Sequence, residues 1–116
     1  MITIYHNPRC RKSREGLQIL EASSKPFRVV RYLDNPPDQA LLKELLRKLG
    51  MAPSELIRTG EPEWKEHYKG KELSEDALIN AMAEHPKLIE RPIVVAGSKA
   101  IVGRPPETIR NFLRTL

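Results

Sequence analysis

Hydrophobic and polar positions change their period several times along the chain, and each change marks an element. Residues 2–5 (Ile-Thr-Ile-Tyr) alternate as a half-buried strand does and stop at the turn formers His6, Asn7 and Pro8. Over 11–20 the spacing turns helical, with Leu17, Leu20 and Ser13 on the inner side. After a turn closed by Pro26, residues 27–32 read as a second strand. Strand, helix and strand within about thirty residues form a βαβ unit, which predicts parallel strands and a right-handed crossover. Asn35-Pro36-Pro37-Asp38 then opens a helix, with Asn35 as the expected cap and the prolines in the first turn. Leu41, Leu42, Leu45, Leu46 and Leu49 follow at helical spacing as a core stripe, and Gly50 is the natural stop. Residues 53–57 predict a short helix, and 62–68 hold the one tryptophan, Trp64, as packing. Ser74 caps a further helix with Leu78, Ile79 and Met82 inward, ended by His85-Pro86.

The last third returns to strands. Residues 91–96, the turn Gly97-Ser98 and residues 99–103 predict a β-hairpin. Pro92 heads its first strand, where proline is tolerated and a cis peptide bond is accessible. Arg104-Pro105-Pro106-Glu107 starts a final helix whose buried stripe is predicted as Ile109, Phe112, Leu113 and Leu116. The order β-α-β, helices, β-β-α is an α/β, thioredoxin-like mixed sheet with a helical insertion. We expect a single domain over 1–116, with the insertion at about 35–85, since 116 residues support one core and not two.

Composition narrows the function. Twenty Lys and Arg against fifteen Asp and Glu give a net charge of +5, so the surface attracts anions. Nucleic acid is a poor match: aromatics are 5% of residues, basic runs are not interleaved with them, and no RNP or zinc-finger pattern occurs. Cationic residues sit beside acidic ones along helix faces, as on a solvated surface. A small oxyanion fits better. No apolar run approaches the ~18 residues of a membrane span, and the N-terminus does not read as a signal peptide. One cysteine forms no internal disulfide, which fits a reducing compartment; the expected location is the cytoplasm.

That cysteine, Cys10, falls at or just before the start of a helix, where unpaired N–H groups and the positive dipole end converge. Arg9, Arg11, Lys12 and Arg14 lie within a few residues. Such surroundings lower a thiol pKa from about 8.5 and make it a nucleophile. The other reading, a buried inert cysteine, is weakened by four adjacent cations. The carboxyl end of a βαβ strand is also where ligands bind. Arg58, Arg91 and Arg104 each stand at a junction between elements rather than in mid-helix. An arginine fork suits a tetrahedral oxyanion, although any one of them can serve as a surface salt bridge. His6 can tune the thiol or hydrogen-bond the loop, and Ser13 can donate to the thiolate or pack. His67 and His85 have no metal-ligand spacing with Cys10, so no metal is expected.

His6-Asn7-Pro8-Arg9-Cys10 with Ser13-Arg14 downstream, Leu56-Ile57-Arg58, Glu90-Arg91-Pro92-Ile93-Val94-Val95 and Gly103-Arg104-Pro105-Pro106 resemble the glutaredoxin-dependent, ArsC-type arsenate reductases. The resemblance runs in order over essentially the whole chain. It implies that Cys10 attacks arsenate, that Arg58, Arg91 and Arg104 bind the oxyanion, and that Pro92 is the cis-proline of the fold. His6, Ser13 and Arg14 are implied in support. It further implies no bound cofactor, glutathione as co-substrate, glutaredoxin as the resolving partner, and arsenic detoxification as the role. A lone cysteine agrees, because the two electrons that reduce As(V) then need thiols from outside. The phosphatase-like class of arsenate reductase needs Cys-x5-Arg, and Gly16 stands at that place. The chain departs from the family at Arg11, where a small residue is common; the added charge either depresses the thiol pKa or faces solvent. Two other readings stay open: an arsenate-reductase-like thiol protein acting on a glutathione mixed disulfide, and an Spx-like regulator of RNA polymerase. The usual Cys-x-x-Cys switch of the latter is missing, since position 13 is Ser13.

Overall fold

The computed structural model describes all residues, 1–116. In chain order the elements are β1 (Ile2–His6), α1 (Arg11–Ala22), β2 (Phe27–Arg31), α2 (Gln39–Leu49), α3 (Pro53–Leu56), α4 (Pro62–His67) and α5 (Glu75–Glu84). A 3-10 turn (Pro86–Leu88), β3 (Ile93–Ala96), β4 (Lys99–Val102) and α6 (Glu107–Leu113) complete the chain. They form two compact units: Met1–Asn35 with Arg91–Leu116, and Pro36–Glu90.

The first unit holds a four-stranded sheet in the order β2-β1-β3-β4. β1 and β2 are parallel, as a strand-helix-strand crossover requires, while β1/β3 and β3/β4 are antiparallel. This is the thioredoxin-like arrangement expected from the order of elements. Ile2 and Ile4 of β1 and Val94 of β3 form the sheet's share of a core completed by Leu20 of α1 and by Ile109, Phe112 and Leu113 of α6. Two glycines let these elements approach. A Cβ on Gly16 of α1 would lie 2.8 Å from Ile109 Cδ1, and one on Gly103 would lie 2.5 Å from the same atom. Gly97, with φ of 62°, turns the β3/β4 hairpin in the left-handed region that glycine adopts without penalty.

The second unit is helical. Leu42, Leu45 and Leu46 of α2, Leu56 of α3, Ile79 and Met82 of α5 and Leu88 are all buried in it. Its middle is tied to its C-terminal end by an antiparallel bridge between Ile57 and Ile89, with Arg58 N–H donating to Leu88 O at 2.7 Å and Glu90 N–H to Leu56 O at 3.0 Å.

Three local expectations are corrected. Asn35 does not cap α2; Asp38 does, its Oδ1 accepting from Leu41 N–H at 2.8 Å. Asn35 and Pro36 each precede a proline, which disfavours helical backbone, so the helix starts only past Pro37. Leu116 is 50% exposed rather than buried, because α6 ends at Leu113 and the chain leaves the core after it. Leu78 is only half-buried; Ala81 takes the inward place beside Ile79 and Met82.

Candidate active site

The site is built on the loop between β1 and α1. Asn7 is buried, and its side-chain Oδ1 accepts from Arg9 N–H at 3.0 Å while its carbonyl accepts from Cys10 N–H at 3.0 Å. An asparagine before proline favours such a self-bonded turn. Arg14, one turn into α1, donates from Nη1 to the carbonyl of Pro8 at 2.9 Å, closing the loop from outside. Ser13, with no solvent exposure, closes it from inside: its Oγ accepts from Asn7 N–H at 2.9 Å and meets His6 Nδ1 at 2.7 Å. His6 is 5% exposed. Burial holds its pKa below the ordinary histidine value, and Arg31, its register partner on β2, pushes the same way. The ring is therefore neutral at neutral pH, and its Nδ1 shares a hydrogen bond with the Ser13 hydroxyl. His6 thus hydrogen-bonds the loop through Ser13, and Ser13 spends its hydroxyl on His6 and Asn7.

Cys10 is the N-cap of α1, in extended backbone conformation, and the residue is half-buried. Two influences oppose each other at the thiol. Partial burial raises its pKa. The Ser13 amide, the Arg91 guanidinium and the Lys12 amide together outweigh burial and hold the pKa below the ordinary cysteine value. Sγ makes no strict capping hydrogen bond, but these amides, aligned with the helix axis, favour its anionic form. Arg104 Nη1 donates to Sγ at 3.9 Å and to the carbonyl of Arg91 at 3.5 Å.

The hairpin explains how two distant arginines meet. β3 and β4 pair with Ile93 opposite Val102, and Gly103 N–H donates to Pro92 O at 2.8 Å. Continuing that register sets Arg91 opposite Arg104, one on each side of the hairpin base. β3 also pairs with β1, Ile93 against Tyr5, which carries Arg91 to the loop that holds Cys10. The peptide bonds preceding Pro92 and Pro105 are both cis.

Of the residues singled out in the sequence, the first unit gathers Cys10, His6, Ser13, Arg14, Arg91, Pro92 and Arg104. Arg58 belongs to the second unit, where its guanidinium pairs with Glu61 at 3.3 Å and Glu90 at 3.9 Å. Asn7, expected only as a turn former, also organises the loop through its side chain. Arg11 projects outward, 85% exposed, and pairs with Glu15 one turn on at 3.2 Å, so it takes the solvent-facing alternative. No three His, Cys, Asp or Glu side chains gather where they would hold a metal ion. No helix is long and apolar enough to cross a membrane.

A thioredoxin-like sheet presenting one activated thiol at a helix tip, with two guanidinium groups on the sulfur, defines a single-thiol protein suited to anions. Residues 5–112 match the model of the ArsC family. Over 114 residues the chain is 47% identical to a Neisseria meningitidis serogroup A protein named arsenate reductase, across 97% of each chain. It is 52% identical over 114 residues to the Escherichia coli K12 protein YfgD, named uncharacterized, across 97% of this chain and 96% of that one. A solved structure of an arsenate reductase from Vibrio cholerae superposes with a TM-score of 0.90 at 47% identity, across 95% of both chains. The chain belongs to the ArsC family.

Proposed function

We propose that the protein is an oxidoreductase that reduces arsenate to arsenite through Cys10, with glutathione and glutaredoxin supplying the electrons. The observation that carries this reading is the placement of Cys10 at the N-terminus of α1 with Arg104 Nη1 3.9 Å from its sulfur and Arg91 beside it, an arrangement that lowers the thiol pKa. The Cys10 thiolate attacks arsenic, and an S–As bond forms as one arsenate oxygen leaves as water. A glutathione thiol replaces a second oxygen in the same way. Glutaredoxin thiolate then attacks the glutathione sulfur. The S–As bond breaks with its electron pair left on arsenic, giving As(III) on Cys10 and a glutaredoxin–glutathione disulfide. Hydrolysis of the remaining S–As bond releases arsenite and restores the thiol. Two thiols are oxidised to one disulfide for each arsenate reduced, so the electrons balance with one protein cysteine.

In this scheme Arg91 and Arg104 neutralise the incoming oxyanion and the charge that builds on it. The part of Arg58 in anion binding rests on the family resemblance. Neither a bound cofactor nor a metal enters any step, and the reducing cytoplasm is where such a thiol stays available. The test is a coupled assay with arsenate, glutathione, glutaredoxin, glutathione reductase and NADPH. Arsenate-dependent NADPH oxidation above a Cys10→Ser control is expected, with arsenate KM raised in Arg58→Ala. The absence of such oxidation, with turnover of a glutathionylated peptide instead, would reassign the same thiol to mixed disulfides.

A further inference from the structure

The four cations that crowd Cys10 in sequence are not the chief reason its thiol is activated. The amides of Ser13 and Lys12 and the guanidinium of Arg91 do that work. All four flanking side chains are exposed. Two of them have local partners: Arg11 pairs with Glu15, and Arg14 donates to the Pro8 carbonyl. Arg9 and Lys12 have none. Only the backbone N–H of Arg9 is engaged, to Asn7 Oδ1. Two unpaired, solvated cations thus stand one residue before and two residues after the half-buried Cys10. Unpaired charge of one sign beside a reacting atom raises the local concentration of ions of the opposite sign.

We propose that Arg9 and Lys12 receive the carboxylates of the small thiol that attacks the group carried on Cys10, so that the protein selects an anionic thiol over a neutral or cationic one. This rests on Cys10 being the nucleophile of the proposed reaction, and it assigns that reaction's second substrate a binding surface separate from Arg91 and Arg104. A thiol reacts as its thiolate, and one that also bears carboxylates arrives with several negative charges. Arg9 and Lys12 meet those charges while Arg91 and Arg104 stay on the oxyanion.

The proposal can be read without arsenic. Cys10 is converted to its mixed disulfide with thionitrobenzoate by the corresponding aromatic disulfide. An incoming thiolate then attacks Sγ; a new S–S bond forms as the old one breaks, and thionitrobenzoate leaves as a coloured thiolate. Rate constants are measured for glutathione (anionic), 2-mercaptoethanol (neutral) and cysteamine (cationic), in the wild type and in the double variant Arg9→Gln/Lys12→Gln. Comparing the two proteins cancels the intrinsic nucleophilicity of each thiol. We expect the glutathione-to-mercaptoethanol ratio to fall at least about fivefold in the variant at low ionic strength, and the cysteamine-to-mercaptoethanol ratio to rise. The wild-type preference for glutathione should shrink as salt approaches ~1 M, where the screening length is about 3 Å. Equal slowing of all three thiols, an unchanged glutathione ratio, or a wild-type Cys10 that does not accept the label would each overturn the proposal. Failure of the arsenate reading is a separate result: the coupled assay would be silent while the charge selectivity of thiol exchange remained.

Discussion

Ser13→Ala removes a single oxygen from a place with no solvent exposure, and the consequence can be worked out atom by atom. Ser13 Oγ is the partner of two buried groups, Asn7 N–H at 2.9 Å and His6 Nδ1 at 2.7 Å. Each would lose its hydrogen bond at a site that water does not reach. A buried polar group left without a partner costs about 1–3 kcal/mol, so the pair costs roughly 2–6 kcal/mol. The gap is one oxygen wide, too small to admit a bridging water, which needs at least about 10–15 Å³ of probe-occupied space. Alanine's better helix propensity returns about 0.5 kcal/mol. The net loss is therefore about 1.5–5.5 kcal/mol, a large part of the ~5–15 kcal/mol that holds a domain folded. Urea unfolding at about pH 8, where His6 is neutral in folded and unfolded chains alike, reads it directly. With m of ~2 kcal/mol/M the midpoint should fall by about 1–3 M at unchanged m. Ser54→Ala, on the surface of α3, should stay within about 0.5 kcal/mol of the wild type. A Ser13→Ala loss below about 0.5 kcal/mol would refute the reasoning, since it would mean that Asn7 and His6 find other partners.

Three further outcomes follow from the same geometry. Gly103→Ala should cost about 1–3 kcal/mol in the same unfolding assay, because its Cβ would press on Ile109 Cδ1 at 2.5 Å and Cγ1 at 2.8 Å; equal or greater stability would show that α6 yields freely. The alkylation rate of Cys10 against pH should give a midpoint below about 8.5, shifted upward in Arg91→Ala and unmoved in Arg11→Ala; a wild-type midpoint at or above 8.5 contradicts the activated thiol. Because the folded pKa of His6 lies below its unfolded value, the unfolded chain binds the extra proton first as pH falls. The stabilisation from neutral His6 is thus complete above about pH 6.5 and is lost as pH drops through 6.5 to the folded pKa. His6→Gln should flatten that part of the stability profile, and an identical slope in the variant would remove His6 as its source.

Much of the fold was legible because it is written in short-range patterns. The alternation of 2–5, the stripe at Leu42, Leu45 and Leu46 and the Ser74 cap each depend on residues within one or two turns, and each element forms where its pattern lies. Where local rules compete, pattern and structure part. Asn35 is a good cap by type, but two consecutive prolines hold the backbone extended until Asp38. The 3-10 turn at Pro86–Leu88 has no hydrophobic period of its own to announce it. Leu116 fits the helical spacing of its stripe, yet the helix stops before reaching it.

The site divides along the same line. That Cys10 begins a helix follows from the turn formers before it and the helical period after it. The source of its activation does not follow from neighbours in sequence. Side chains in the first turn of a helix radiate away from its axis, so Arg11, Lys12 and Arg14 reach solvent while their backbone N–H groups point along the axis toward the cap. A positive side chain can stand over a helix tip only if another element delivers it. Here the hairpin does so, and its turn at Gly97-Ser98 already implied the pairing: counting outward from that turn sets 93 against 102 and 91 against 104. The arginines eighty and more residues from Cys10 are the ones on its sulfur, and those beside it in the chain are left facing whatever approaches from solvent. Proximity in sequence and proximity to the sulfur are thus set by different forces, helix geometry for one and sheet register for the other.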